Sequence, residues 1–196
     1  LKKKFIEVVI AKGFEKNALK ILKRNKNLRI IDSKNISLDK NLNVTHNLNS
    51  MMLQESDTEI FSKDNFEVVS KKKPTNKILN NLIFAFNICR FVKSNAIVLA
   101  RNSSIIGIGS GQPSRIDSCK IAVNKMKKFQ NLNYEDEIVA ASDAFFPFVD
   151  GIETLVQSGV KAIIQPSGSI RDKEIIKFAN KTGTILVFSK TRHFKH

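Results

Sequence analysis

Pro147 restricts the backbone in the middle of the aromatic stretch AASDAFFPFVD, residues 140–150. Three phenylalanines surround Pro147, which has no backbone N–H to give to a β ladder. Proline also pushes the residue before it, here Phe146, towards an extended conformation. The stretch therefore predicts a rigid aromatic loop. The alternative is a strand that buries its phenylalanines in the core.

Two carboxylates bracket the aromatic residues. Asp143 precedes them and Asp150 follows them. A flat, partly apolar ligand that carries hydrogen-bond donors could stack on the rings while a carboxylate orients it. If the stretch is instead a core strand, both acids are simply solvated.

Size and composition indicate a soluble globular protein. The 196 residues, 42% of them hydrophobic, suffice for one large domain or two small ones with a sizeable core. Cys89 and Cys119 are far apart and neither lies in a C-x-x-C motif, which disfavours a zinc site or a disulfide framework. No apolar run approaches the roughly 20 residues that span a bilayer, and the sequence contains no apolar run typical of a signal peptide. We expect a cytosolic protein and, because it begins with Leu1, part of a longer one.

The chain is strongly basic. It has 33 Lys and Arg against 18 Asp and Glu, a net charge of +15 and a pI of about 9.9. Such a charge attracts phosphates, nucleic acids or anionic membranes. Apart from Lys2 to Lys4 and Lys71 to Lys73, however, the lysines are scattered, and no stretch interleaves basic and aromatic residues as RNA-binding strands do. A basic nucleic-acid-binding module remains one alternative, and a non-catalytic structural remnant is another.

Apolar periodicity predicts alternating strands and helices. Strands are predicted at residues 5–11, 28–31, 51–53, 66–69, 96–100, 105–108, 162–164 and 184–188. Helices are predicted at 15–24, 75–92 with Thr75 as N-cap, 113–129, 152–158 and from Asp172. A hairpin is predicted to turn at Asn102, and 33–49 reads as loop and short strand without a domain break. This order is typical of α/β folds, in which sites lie beyond the carboxyl ends of strands.

The sequence GIGSGQPSRID, residues 107–117, places three glycines before a predicted helix. Ser114 and Asp117 have the spacing of a capping box. The glycines could expose backbone N–H groups to an anion, or they could form a tight strand-to-helix turn. The stretch lacks the lysine of a P-loop and the glycine spacing of a dinucleotide-binding turn.

Five motifs together resemble one family, in that family's order. They are KSNAIVLA (93–100), GIGSGQPSR (107–115), SDAFFPFVDG (142–151), IIQPSGSIRD (163–172) and RHFKH (192–196). They resemble the bifunctional purine biosynthesis proteins, which join an IMP cyclohydrolase to a formyltransferase acting on AICAR, 5-aminoimidazole-4-carboxamide ribonucleotide. The match runs from Lys93 to His196 without a gap, and residues 5–30 and 66–92 match more loosely.

The resemblance implies that residues 1–196 are the carboxy-terminal part of the formyltransferase domain. The implied fold is a cytidine-deaminase-like layered sheet with flanking helices and no zinc signature. The implied activity is formyl transfer from 10-formyltetrahydrofolate to AICAR, without a metal, in a cytosolic homodimer whose site is shared across the interface. Neither nucleic acid nor membrane is implied as a partner. The family's Lys-His catalytic pair and its cyclohydrolase domain are expected upstream of Leu1, and Met51-Met52 stands near the family's usual Gly-Gly.

The resemblance also implies site residues, motif by motif. Those matching AICAR-binding residues are Asn95, Arg115, Phe145 and Arg192. Those matching folate-binding residues are Ile116, Asp150, Ser169 and Ile170. Asn95 is expected to be catalytic, because an amide can orient a substrate by accepting one hydrogen bond and donating another; otherwise it caps its own turn. His193 and His196 are expected to be tail residues rather than bases.

Overall fold

The chain folds as two units, which divide between Ser56 and Asp57. The computed structural model describes residues 5–36, 42–62, 66–128 and 137–196. Lys2 to Lys4, residues 37–41 and the predicted helix end at Phe129 lie outside these ranges. Within them the predicted alternation of strands and helices is confirmed, and the fold is mixed α/β.

The first unit begins with the predicted β-α-β arrangement. Strand β1 (Val8–Ala11) pairs in parallel with β2 (Arg29–Asp32), and helix α1 (Lys16–Leu22) connects them. Strands β3 (Leu42–Asn47) and β4 (Ser50–Glu55) then form an antiparallel pair. The predicted strands in this unit are therefore confirmed.

Met51 and Met52 lie in β4, opposite His46 and Thr45 of β3. Their side chains are 58% and 43% exposed, so within this unit no packing constraint opposes methionine in place of glycine. Among the unit's described residues only Leu22 is buried. The described part of this unit therefore has no core of its own.

The second unit is built on a six-stranded sheet. Its strands are β5 (Phe66–Val68), β6 (Ile97–Arg101), β7 (Ser104–Gly109), β8 (Val139–Ser142), β9 (Ala162–Pro166) and β10 (Ile185–Ser189). Their spatial order is β5-β10-β9-β8-β6-β7. Strands β8, β9 and β10 are parallel, β5 and β6 run antiparallel to their neighbours in that set, and β7 runs antiparallel to β6. The carboxyl ends of β7 to β10 and the amino end of β6 therefore lie at one edge.

Four helices pack on this sheet. They are α2 (Asn76–Cys89), α3 (Arg115–Met126), α4 (Val149–Gln157) and α5 (Asp172–Thr182). Strand residues alternate between two apolar clusters. In β6, for example, Ile97 and Leu99 pack with residues of α3, α4 and α5, whereas Val98 and Ala100 pack with α2. None of the described helices combines the length and apolarity that crossing a membrane requires.

The local signals in α2 and the β6–β7 hairpin are confirmed. The Thr75 hydroxyl caps α2 by accepting from the Ile78 N–H at 3.2 Å. The hairpin turns at Asn102 and Ser103, which both have positive φ, as a type I′ turn requires. Asn81 of α2 accepts from the Ser103 N–H at 2.8 Å, so the helix also holds the turn.

The glycines at 107 and 109 allow α3 to approach β7. A Cβ on Gly109 would lie 1.9 Å from the Ser118 carbonyl oxygen, and one on Gly107 would lie 2.3 Å from that of Ala122. These two glycines therefore serve close strand–helix packing. The predicted capping box is wrong, because Ser114 is the N-cap residue but its side chain makes no capping hydrogen bond. Asp117 instead pairs with Lys120 on the exposed side of the helix.

Gly109→Ala is expected to destabilise the second unit by about 1–3 kcal/mol or more, because the new methyl group must displace backbone atoms of α3. Ser104→Ala, at the exposed start of the same strand, is the matched control and should change stability by less than about 0.5 kcal/mol. Urea unfolding of both variants measures the difference. Equal stabilities would show that α3 does not need this close approach.

Candidate functional site

A pocket of about 530 Å³ lies at the sheet edge where the strand ends meet. Its volume is within the usual range for small-molecule sites. Six of the eight residues matched to ligand contacts line it: Asn95, Arg115, Ile116, Phe145, Asp150 and Arg192. Asn95 is thus brought together with residues that lie 20 to 97 positions after it in the sequence.

The topology explains this convergence. Asn95 directly precedes β6, whereas Ser114 and Arg115 follow β7. The aromatic loop follows β8, and Arg192 follows β10. Because β6 runs opposite to β7 and β8, its amino end lies beside their carboxyl ends. The residues matched to the site therefore lie together at this edge, where α/β folds commonly have their sites.

A buried ion pair forms the floor of this region. Arg115 Nη1 lies 2.5 Å from Asp143 Oδ1, with side-chain exposures of 8% and 0%. Two hydroxyls complete the pair: Ser142 Oγ accepts from Arg115 at 3.0 Å, and Ser94 Oγ donates to Asp143 Oδ2 at 2.5 Å. Asp143 was expected to be a ligand-orienting or solvated carboxylate. It is neither, because its side chain has no exposed surface and its two oxygens accept from Arg115 and Ser94.

Asn95 has a fixed amide orientation. Its Oδ1 accepts from Arg115 Nη2 at 2.8 Å, and its Nδ2 donates to the carbonyls of Gln112 at 2.9 Å and Pro113 at 3.2 Å. Both amide protons are therefore used within the protein, whereas Oδ1 retains one lone pair. Asn95 can accept a hydrogen bond from a ligand but has no proton left to donate.

The aromatic segment is a loop, as predicted, but it begins at Asp143 because residues 139–142 form β8. Phe146 is buried at 1% exposure, and Phe145 is partly exposed at the pocket. Gly151 makes the inward position possible, since a Cβ there would lie 2.7 Å from the Phe146 ring. The core-strand alternative is therefore wrong.

Arg192 extends over the pocket from the carboxy-terminal segment. Its Cζ lies 5.1 Å from the centroid of the Phe145 ring, which is within cation–π range. Among the described residues the structure records no carboxylate paired with Arg192. It therefore brings an uncompensated positive charge to the pocket, whereas the charge of Arg115 is neutralised by Asp143.

The residues matched to folate contacts divide into two groups. Ile116 and Asp150 line the pocket, whereas Ser169 and Ile170 do not. The 167–171 loop nevertheless lies next to it, because Arg171 Cζ is 4.6 Å from the centroid of the pocket residue Phe148. Ile170 is fully exposed on this loop.

Sequence reasoning missed a second polar contact, between a buried histidine and a partly buried carboxylate. His193 has no exposed surface, and its Nδ1 lies 2.6 Å from Asp57 Oδ2. His193 lies in the carboxy-terminal tail, as expected, but the sequence did not predict that this tail residue is buried. No local motif could have indicated this pair, because its members are 136 residues apart.

Both cysteines are buried and unpaired by disulfides. Burial raises the pKa of Cys119 to about 12 and raises that of Cys89 well above its usual value. Both therefore remain protonated thiols at neutral pH, and a protonated thiol is a poor nucleophile. Among the described residues, no three His, Cys, Asp or Glu side chains are placed to hold a metal ion.

Comparison with known proteins identifies the family. The family model described as "AICARFT/IMPCHase bienzyme" matches residues 1–125, more than half of the chain. The chain belongs to the AICARFT/IMPCHase bienzyme family.

Two relatives illustrate the extent of the match. The bifunctional purine biosynthesis protein PurH of Buchnera aphidicola subsp. Schizaphis graminum is 46% identical over 197 residues, covering 100% of this chain. The PurH protein of Oenococcus oeni is 45% identical over 193 residues, covering 98%. This chain spans 37% of the length of each relative.

Among solved structures, a dCMP deaminase from the cyanophage S-TIM5 aligns with a TM-score of 0.38 at 16% identity. The alignment covers 58% of this chain and 98% of the deaminase chain.

The two neighbouring phenylalanines of this bienzyme-family chain should respond differently to truncation. Phe146→Ala is expected to destabilise the fold by about 3–5 kcal/mol, because it empties a fully buried site. Phe145→Ala should cost only about 0.5–1 kcal/mol, the size of an exposed cation–π contact. Denaturant unfolding of the two variants tests this. The reverse order of stabilities would mean that the loop faces the other way.

Proposed function

We propose that this chain supplies much of the substrate-binding wall of an AICAR formyltransferase. The reaction moves a formyl group from 10-formyltetrahydrofolate to the amine of AICAR and gives formyl-AICAR, late in IMP biosynthesis. The full-length protein would also carry IMP cyclohydrolase activity. The main support is that motifs matched to AICAR contacts and to folate contacts meet in one pocket.

The pocket chemistry suits AICAR, which has a flat imidazole ring, a carboxamide, an amine and a phosphate. Phe145 offers a ring face on which the imidazole can stack. Arg192 offers a guanidinium that has no carboxylate partner in the described ranges, and such a group binds a phosphate or carboxamide oxygen well. Asn95 Oδ1 offers the acceptor for an amine proton. In this proposal Arg115 acts on the substrate mainly through Asn95, whose orientation it holds at 2.8 Å.

Formyl transfer requires the AICAR amine nitrogen to attack the formyl carbon. The C–N bond to N10 of the folate then breaks, the amine loses a proton and N10 gains one. The amine is a weak nucleophile because its lone pair is conjugated with the ring and carboxamide. Orientation, proton removal and stabilisation of the tetrahedral oxyanion must therefore supply the rate. Asn95 contributes orientation by accepting an amine N–H.

The folate would occupy the side of the pocket nearest α4. Asp150 lies in the first turn of α4 and can accept from the pterin amines. Its Oδ1 accepts from the Gly151 N–H at 2.7 Å, which leaves the other oxygen for a ligand. Ile116 gives this side an apolar wall. Ser169 and Ile170 would contact the folate from the 167–171 loop.

Further features follow from the family resemblance and belong to the same proposal. The chain corresponds to the carboxy-terminal part of the formyltransferase domain and has a cytidine-deaminase-like fold without zinc. The full-length protein is a cytosolic homodimer with a site shared across its interface. Its substrates are small molecules, and neither nucleic acid nor membrane is a partner.

Asn95→Ala in the full-length protein is expected to lower kcat about 10²-fold to 10³-fold, with little change in KM for folate. The reason is that an oriented hydrogen bond to the reacting amine acts mainly in the transition state. Asp150→Asn is the matched control and should raise KM for folate while sparing kcat and KM for AICAR. Steady-state kinetics, with melting curves for both variants, measure this. An unchanged kcat for Asn95→Ala would limit Asn95 to holding the turn at Gln112 and Pro113.

The 196-residue chain alone is expected not to formylate AICAR. The reason is that the resemblance implies a proton-moving Lys-His pair upstream of this sequence. Adding the separately expressed upstream part should restore turnover, which can be followed by chromatography of formyl-AICAR. Formyl-AICAR produced by the purified chain alone would contradict this expectation.

A further inference from the structure

The buried His193 side chain and the partly buried Asp57 side chain form a polar contact that the proposed reaction does not use. His193 Nδ1 and Asp57 Oδ2 are 2.6 Å apart. A carboxylate can only accept, so the imidazole Nδ1 donates. His193 Nε2 is buried and has no hydrogen-bond partner among the described residues, so Asp57 is its one polar side-chain anchor there. The other side of the ring packs on Phe86, with 4.5 Å between ring centroids.

Asp57 belongs to a short segment, residues 57–61, that is fastened to α2. Asn87 of α2 donates to the Phe61 carbonyl and accepts from the Phe61 N–H, both at 2.9 Å. Arg90 donates to the Glu59 carbonyl at 3.1 Å. The Phe61 ring also packs edge-on against Phe86, with centroids 4.8 Å apart. Asp57 is therefore the first residue of a segment that is anchored to a packed helix.

On the other side of the contact, His193 is the neighbour of Arg192. The two side chains point apart: His193 is buried, and Arg192 is exposed over Phe145. The His193 N–H donates to the Asp143 carbonyl at 3.2 Å, which holds the same backbone against the end of β8. Among the described residues Arg192 has no ion pair, so its guanidinium is held by the Phe145 ring contact and by the backbone from which it extends.

We infer that His193 and Asp57 are positioning residues for Arg192. Their hydrogen bond fixes the backbone at position 193 and thereby holds the neighbouring guanidinium over Phe145, where it can meet an anionic or carbonyl oxygen of the substrate. The inference rests on the proposed function, because it takes AICAR as the ligand of Arg192. The segment 57–61 is thus part of the binding apparatus although it does not line the pocket.

A purely structural role would have different consequences. Loss of a buried hydrogen bond would then lower the melting temperature and affect the kinetic constants for both substrates together. A positioning role predicts a selective loss of AICAR binding, well below the melting temperature. It also predicts that the loss disappears when Arg192 is already absent, because coupled residues give non-additive effects.

The test uses the full-length protein with steady-state kinetics for AICAR and folate. His193→Leu removes the donor but stays apolar against Phe86, whereas His193→Asn keeps an amide donor near the position of Nδ1. His193→Leu should raise KM for AICAR about tenfold, as expected for losing one hydrogen bond to a charged group, with kcat and KM for folate nearly unchanged. His193→Asn should restore most of the loss.

Asp57→Ala removes the acceptor of the same hydrogen bond, and Asp57 is the less buried of the two partners. This variant should also raise KM for AICAR selectively, and it can replace His193→Leu if that variant does not fold. Thr191→Val is the matched control. It removes another hydrogen bond between the two segments, from Thr191 to Glu59 at 3.1 Å, but should leave KM for AICAR unchanged.

A double variant distinguishes the positioning role from a purely structural role. In an Arg192→Ala background, adding His193→Leu should raise KM for AICAR no further. An equal rise with and without Arg192, or a parallel loss of all constants with melting temperature, would overturn the positioning role. If Arg192→Ala itself leaves KM for AICAR unchanged, the assignment of Arg192 to AICAR fails, and this inference fails with it. If Arg192→Ala weakens AICAR but His193→Leu and Asp57→Ala do not, only the positioning role is refuted.

Discussion

Arg115 and Asp143 are both removed from water, and the geometry of the pocket is built around their contact. Removing each charge from water costs several kcal/mol, and the cost is recovered only if the partners are close and their remaining hydrogen-bonding groups are satisfied. Here the separation is 2.5 Å, and the Ser94 and Ser142 hydroxyls bond to the pair. Arg115 then uses a second nitrogen to orient Asn95. Removing either charge would leave the other buried and unpaired, at a cost of about 3–5 kcal/mol.

The ion pair can form only because the strands run in the directions they do. Arg115 begins α3 after β7, and Asp143 follows β8, two strands that are separated in the sheet by β6. Because β6 is antiparallel to β7 and β8, Asn95, which comes before β6, lies at the same edge of the sheet. Gly109 lets α3 pack closely on β7, and the position of α3 determines how far Arg115, its first residue, lies from the sheet. The directions of the strands therefore bring Arg115, Asp143 and Asn95 together, although they are far apart in the sequence.

Local signals predicted the elements well, because each depends on a few adjacent residues. Thr75 capped the expected helix, and Asn102 turned the expected hairpin. Strand β8 was not separated from the aromatic loop, because its four residues VAAS carry neither alternation nor β-branched enrichment. The long-range contacts of Asp143 and His193 could not be predicted for a different reason. A carboxylate beside phenylalanines is compatible with a ligand, solvent or a distant arginine, and only the three-dimensional fold chooses among them.

The two arginines of the pocket show how burial divides similar residues into different roles. The charge of Arg115 is neutralised by the Asp143 carboxylate, so Arg115 attracts a ligand only weakly. Its main role is to orient the Asn95 amide. Arg192 is exposed over the Phe145 ring and has no ion pair within the part of the chain that the structure describes, so it keeps its charge for a ligand. A long, flexible cation of this kind loses side-chain entropy when it binds. Rigid backbone beside it reduces that loss, which gives a physical reason for a buried histidine directly after an exposed arginine. The overall charge of +15 adds little to this local effect, since its lysines are scattered and screened within about 10 Å at ordinary salt.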